Sequence, residues 1–198
     1  MATPSISSPH MRTSPFVETI QTERLLLRPV EISDVELLWP DISDPEIAKL
    51  MAWSAHSDKA QTLEFLKGEV ARYQSEKGVT WAILMEGAFC GIISIIAVTR
   101  SHRALTFDRA ELAYWIGRKF QQRGIATEAG RAVIRHAFQK LGLHKLVVSH
   151  HSGNMSSQAL IKRLGFRYVG TQIADFRKDG IWYDHWLYEM LDREFEEL

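Results

Sequence analysis

Apolar residues recur along the chain with two different periods, and each switch of period marks a new element. Glu23–Val30 (ERLLLRPV) reads as a short strand closed by Pro29. Ser33 with Glu36, and Ser43 with Glu46, have capping-box spacing, and Pro45 fits a first helical turn. They predict two short helices separated by Pro40. Leu50–Asp58 breaks the pattern as a loop carrying Trp53 and His56. A helix beginning near Ser57 or Asp58 follows, with Leu63, Leu66, Val70 and Tyr73 on one face. Trp81–Met85 and Phe89–Val98, joined by Glu86-Gly87, then predict a hairpin. Thr99–Arg109 reads as a polar, basic loop.

Glu111–Gly117 (ELAYWIG) alternates as a strand. Leu112, Tyr114 and Ile116 take one face, and Glu111, Ala113 and Trp115 the other. QQRGIATEAG then opens a helix ending near Gly142. Ala129, Val133, Ala137 and Leu141 form its stripe, widened by Ile134 and Phe138. Lys145–His150 reads as a buried strand. The next helix has Asn154 as N-cap and Gly165 as a left-handed stop. FRYVG and IWYDHWLYEM, either side of a Lys178-Asp179-Gly180 turn, are two more strands. One mixed α/β domain is expected over residues 16–198. Residues 1–15, rich in Ser, Thr and Pro, are expected to be a flexible extension.

Composition narrows the function classes. The 198 residues carry 24 basic and 24 acidic side chains without a basic stripe, so nucleic acid and membrane are poor partners. Cys90 is the sole cysteine, which excludes an intrachain disulfide and a multi-thiolate metal site. The longest apolar run, Gly91–Val98, is too short to span a bilayer, and no secretory signal is visible. A cytoplasmic enzyme or binding domain is the expected class.

The candidate chemistry centres on QQRGIATEAG. Unpaired N–H groups and the macrodipole favour an anion at a helix start, and Gly124 and Ala126 leave the approach clear. Alone, this is an ordinary strand–turn–helix junction. It lacks G-x-G-x-x-G and has no lysine followed by Ser or Thr. His150-His151 is a poor metal motif, because neighbours on a strand point to opposite faces.

Three stretches, in this order and spacing, change the weighting: TERLLLRPV, ELAYWIGRKFQQRGIATEA and NMSSQALIKRLGFRYVG. With them the chain resembles the GNAT superfamily of acetyl-CoA-dependent N-acetyltransferases over roughly residues 20–190. The branch is that of the ribosomal-protein N-terminal acetyltransferases of the RimJ and RimL kind. The resemblance implies a central, mixed, mostly antiparallel twisted sheet flanked by helices, with a splayed strand pair forming the acyl-CoA cleft. It implies that Gln122, Arg123, Gly124, Ile125, Ala126 and Thr127 grip the pyrophosphate of acetyl-CoA. It gives Trp115 and Ile116 backbone contacts to the pantetheine arm and thioester, and Asn154 a further contact. Glu111 would be the base, Ser157 the acid that protonates the leaving thiolate, and Trp53, His56 and Tyr114 would line the acceptor pocket. No metal is implied. From the residues alone, Asn154 can equally be a helix cap and Glu111 a solvated strand residue. The acceptor expected by resemblance is a protein N-terminal α-amine, with a small amine or a non-catalytic acyl-CoA-binding module as alternatives. Monomer and homodimer both remain open.

Overall fold

The computed structural model describes Ser14, Phe16 and residues 18–195. The expected extension therefore lies, Ser14 apart, outside the described residues. Eight strands form one sheet in the order β1-β2-β3-β4-β5-β6-β8-β7. They are β1 Ile20–Gln21, β2 Leu25–Pro29, β3 Val79–Met85, β4 Ala88–His102, β5 Leu105–Ile116, β6 Lys145–His151, β7 Arg167–Lys178 and β8 Ile181–Leu191. Every neighbouring pair is antiparallel except β5 with β6. That parallel pair needs a crossover, and helix α4 (Ile125–Gln139) supplies it.

Strand alternation sends side chains to two cores. On one face Ile93, Ile95, Leu112, Leu146 and Val148 pack against Ile125, Ala129, Val133 and Ala137 of α4 and against Leu160 and Ile161 of α5 (Met155–Arg163). On the other, Ala82, Ile92 and Trp115 pack under the N-terminal helices, against Leu38 and Ile42 of α1 (Val35–Ile42), Ile47 of α2 (Pro45–Ala48) and Leu66 of α3 (Lys59–Gln74). A short helix, α6 (Asp192–Phe195), ends the described chain.

The local signals resolve unevenly. Asp58 caps α3 by accepting from the Gln61 N–H, and Gly165 follows α5 at φ +89°, both as the sequence predicts. The two proposed capping boxes fall one or two residues away. Glu31 and Asp34 form the box of a 3-10 turn, where the Asp34 carboxylate also takes a two-pronged ion pair from Arg28 at 2.8 and 2.6 Å. Asp44, not Ser43, caps α2, accepting from Glu46 N–H at 2.9 Å. Pro40 lies inside α1 rather than between two helices. It removes one intrahelical bond, which the burial of Leu38 and Ile42 offsets.

The polar segment 99–109 is no loop. The β4–β5 hairpin continues through it to His102 and resumes at Leu105. Backbone pairing holds it, so side chains beyond the core need not be apolar. Arg100 turns back to cap α4, donating to Leu141 O at 2.6 Å and Gly142 O at 3.3 Å.

Candidate functional site

The site begins where two strands part. β5 pairs with β6 only at Arg109–Lys145, Ala110–Leu146 and Glu111–Val147. Beyond Glu111, β5 stays on β4 as far as Ile116, while β6 follows β8 to His151. The wedge between them belongs to a cleft of about 1290 Å³ that reaches both faces of the sheet.

The open edge of β5 offers backbone groups, and the register decides which. Gly117 donates to Cys90 O on β4 at 2.8 Å. A Cβ at Gly91 would stand 2.2 Å from Trp115 O, so the Trp115 peptide also faces β4. Alternate residues of a strand point their peptide groups to opposite sides. The groups facing the wedge are therefore those of Tyr114 and Ile116, and the expected pair Trp115 and Ile116 is corrected by one residue. Trp115 instead buries its indole, in edge contact with Trp53 and Phe89.

The start of α4 continues this backbone surface. Gly124 is its N-cap at φ +77°, in the left-handed region, and no side chain caps the first-turn N–H groups. Gln122, at φ +60°, makes the approach tight. Ile125 is buried, so it offers the cleft only its backbone, whereas Gln122, Arg123 and Gly124 are exposed and Ala126 and Thr127 half-buried. The Arg123 guanidinium stacks over Phe120. The Glu128 carboxylate in the first turn accepts from Thr22 Oγ1 at 2.6 Å, Arg24 N–H at 2.9 Å and Arg24 Nε at 2.7 Å. These bonds hold its carboxyl below the usual glutamate range against the opposing effect of burial. They tie the TERL motif to the ATEA motif, a link that sequence reading missed.

Titratable groups occupy opposite faces of β5. Tyr114 faces α5, where its hydroxyl lies 2.9 Å from Ser157 Oγ. With Trp53 and His56 it was expected to line the acceptor pocket; all three line the cleft, and Tyr114 points to the opposite face of the sheet from those two. Burial pushes its pKa up to about 12, against a weaker opposing effect of Ser157, so it remains a proton donor at neutral pH. Asn154 presents Ser157 as its α5 cap: its Oδ1 accepts from Ser157 N–H at 3.0 Å and Ser156 Oγ at 2.9 Å. Its Nδ2 donates to Leu50 O at 3.1 Å, so the buried amide is engaged within the protein at both ends.

Glu111 projects to the other face with Ala113 and Trp115. It is not a solvated strand residue. Burial raises its carboxyl above the usual range, while nearby His185 and a Ser149 hydrogen bond favour the charged form. Above this face runs the 48–56 segment. Lys178 Nζ donates to Ala48 O, Met51 O and Trp53 O at 2.5, 2.6 and 3.1 Å. His151 Nε2 donates to Leu50 O at 3.2 Å. Trp53 and His56 meet edge-on, with Phe65 beyond, and burial lowers the His56 pKa. Lys178 and His151 escaped the sequence reading, because nothing in sequence couples a β-turn lysine to a loop more than a hundred residues earlier. No cluster of three or more His, Cys, Asp or Glu side chains placed to hold a metal occurs among the described residues.

The fold that carries this wedge has counterparts among solved structures. The sequence matches the acetyltransferase (GNAT) domain family over residues 24–167. The chain belongs to this family. It is thus an acyltransferase of the N-acetyltransferase class, and its relatives bear matching names. The Bacillus subtilis (strain 168) protein YdaF, provisionally named a ribosomal N-acetyltransferase, is 28% identical over 88% of this chain and 94% of its own. Mycobacterium smegmatis RimJ, solved with a CoA disulfide, is 25% identical with a TM-score of 0.76, covering 91% of this chain and 90% of its own. RimL, a ribosomal L7/L12 α-N-protein acetyltransferase solved with coenzyme A, shares the fold at a TM-score of 0.79 and 20% identity, covering 88% of this chain and 98% of its own. Among the described residues of this GNAT chain, no helix is long and apolar enough to cross a membrane.

Proposed function

We propose that the chain moves the acetyl group of acetyl-CoA directly to a primary amine, and that the amine is a protein N-terminus. One observation carries the reading. A base candidate, Glu111, and a hydrogen-bonded acid pair, Tyr114–Ser157, lie on opposite faces of the strand that borders the wedge. Transfer of an acyl group to an amine uses both roles, a base for the proton that the amine sheds and an acid for the departing thiolate.

Acetyl-CoA supplies the activated acetyl group, and every other role falls to the protein. The N–H groups of residues 122–127 at the bare α4 start suit its pyrophosphate. The wedge-facing N–H groups of Tyr114 and Ile116 suit a pantetheine arm, and one of them can stabilise the carbonyl oxygen as charge develops. Glu111 takes the amine proton, and Ser157, backed by the Tyr114 hydroxyl, gives one to the leaving sulfur. Asn154 acts by position, fixing Ser157 and the Leu50 carbonyl together.

An N-terminal α-amine fits this modest base. With a pKa of ~8 it is neutral in roughly a quarter of molecules near pH 7.5, against about one in a thousand for a lysine side chain. The name of RimL, a ribosomal L7/L12 α-N-protein acetyltransferase, agrees with this choice, and that of YdaF agrees with a ribosomal acceptor. The test is release of free CoA when short peptides of varied first residue compete with polyamines and amino acids as acceptors. Turnover led by peptides supports the reading. Turnover led by polyamines or free amino acids would replace it with small-amine acetylation, and none with any acceptor would favour a binding module.

A further inference from the structure

Glu111 sits under the tied-down 48–56 segment, so a proton it takes from the amine needs a way out. The register marks the direction. Glu111 pairs with Val147, and on β6 the residues sharing its face are Ser149 and His151. Across β6, His151 faces His185 of β8, which therefore joins the same face. Glu111, Ser149 and His185 all line the cleft. Beyond them the β7 bulge between Gln172 and Phe176 carries Asp175, whose Oδ2 is 3.1 Å from His185 Nδ1.

The three histidines of β6 and β8 are not equivalent. His150 points to the other face, between Tyr188 OH and its neighbour's carbonyl. His151 is committed at both nitrogens, donating from Nε2 to Leu50 O and accepting at Nδ1 from Gly153 N–H. His185 alone keeps a ring nitrogen, Nε2, without a protein partner among the described residues, while Asp175 fixes its other one. It is also partly open to water, with 28% of its side chain exposed.

We propose that His185, oriented by Asp175, relays the proton from Glu111 to solvent at the cleft mouth. Glu111 receives the proton released when the amine nitrogen bonds the acetyl carbon, and its Oε–H then passes it through water in the shared cleft to His185 Nε2. The imidazolium, paired at Nδ1 with Asp175, releases a proton to water, and both groups return to their starting states. The titratable groups that face His185 are Glu111 from β5, a neutral His151 from β6 and Asp175 from β7, and His150 of β6 interacts with it from the other face. The Lys178 ammonium, which acts on the neighbouring His151, is held by carbonyls of the 48–53 segment. The inference rests on Glu111 being the base.

The experiment compares His185→Gln, Asp175→Asn and Glu111→Gln over pH 5–9 in dilute, non-basic buffer. His185→Gln should lower kcat about a hundredfold with acetyl-CoA KM unchanged. Added imidazole should restore much of that loss, as it would not for a merely structural defect. Asp175→Asn should lower kcat by less, because Asp175 only orients the ring through Nδ1. Unchanged turnover in His185→Gln, or a loss that imidazole does not restore, overturns the relay. If Glu111→Gln keeps the wild-type kcat and profile, the base reading itself fails. If it behaves as a base variant while His185→Gln is silent, only the relay falls.

Discussion

The two sides of the wedge are built from different materials. The side assigned to the donor is mostly backbone: the open edge of β5, a left-handed Gly124 and uncapped N–H groups of α4. The side assigned to the acceptor is side chains and a loop, with Lys178, His151 and Asn154 reaching across to carbonyls of residues 48–53. A backbone surface is fixed once the strands and helix form, and it changes little with the letters that cover it. A surface of side chains on a loop can change with each substitution. One chemistry with many acceptors is the outcome expected of such a division.

Breaking the backbone side should have the largest effect. Gly124→Val puts a β-branched residue at φ +77° and a Cβ 3.4 Å from the Arg24 guanidinium. At about 1–3 kcal/mol of strain, acetyl-CoA affinity should fall tenfold or more in titration calorimetry, while acceptor selectivity stays the same. Unchanged affinity would remove the α4 start as the donor site.

The acid pair sharpens the comparison at the junction of the two sides. Ser157→Ala should lower kcat about tenfold, because Tyr114 retains a proton and the leaving thiol is already mildly acidic. Tyr114→Phe combined with it should lower kcat further, with acetyl-CoA KM nearly constant in both. Steady-state kinetics with the single and double variants checks this, and equal rates in all three proteins would dismiss the pair.

Lys178→Met should have the smallest effect and fall only on the other side. Three carbonyls lose their ammonium partner, the 48–53 segment loosens, and acceptor KM should rise about fivefold, with acetyl-CoA KM unmoved. Equal changes in both constants would mean that the two sides are not separable.

The same division explains what was legible in the sequence. The QQRGIATEAG helix start, the ELAYWIG strand and the Asn154 cap are local patterns, and each is found where its period or cap chemistry puts it. The wrong assignments came from competition between neighbours. Asp44 outcompeted Ser43 for a cap, a polar hairpin passed for a loop, and the wedge-facing amides shifted from Trp115 to Tyr114. This last depends on which residues β4 engages, and a single strand's sequence does not carry that. Lys178, His151 and His185 were invisible because their roles depend on the β7–β8 hairpin folding back beside β6.

Glu111 decides the account. Its carboxyl lies above the ordinary range because burial disfavours the charge. The acidic limb of the kcat profile should therefore fall above the usual carboxylate pKa, with activity rising as Glu111 ionises. The most direct measurement is the pH–rate profile of Glu111→Gln beside wild type, with one peptide acceptor. The account predicts a large drop in kcat near pH 7 and a profile displaced upward, toward the pH at which the amine loses its own proton. A profile of unchanged height and position would contradict it.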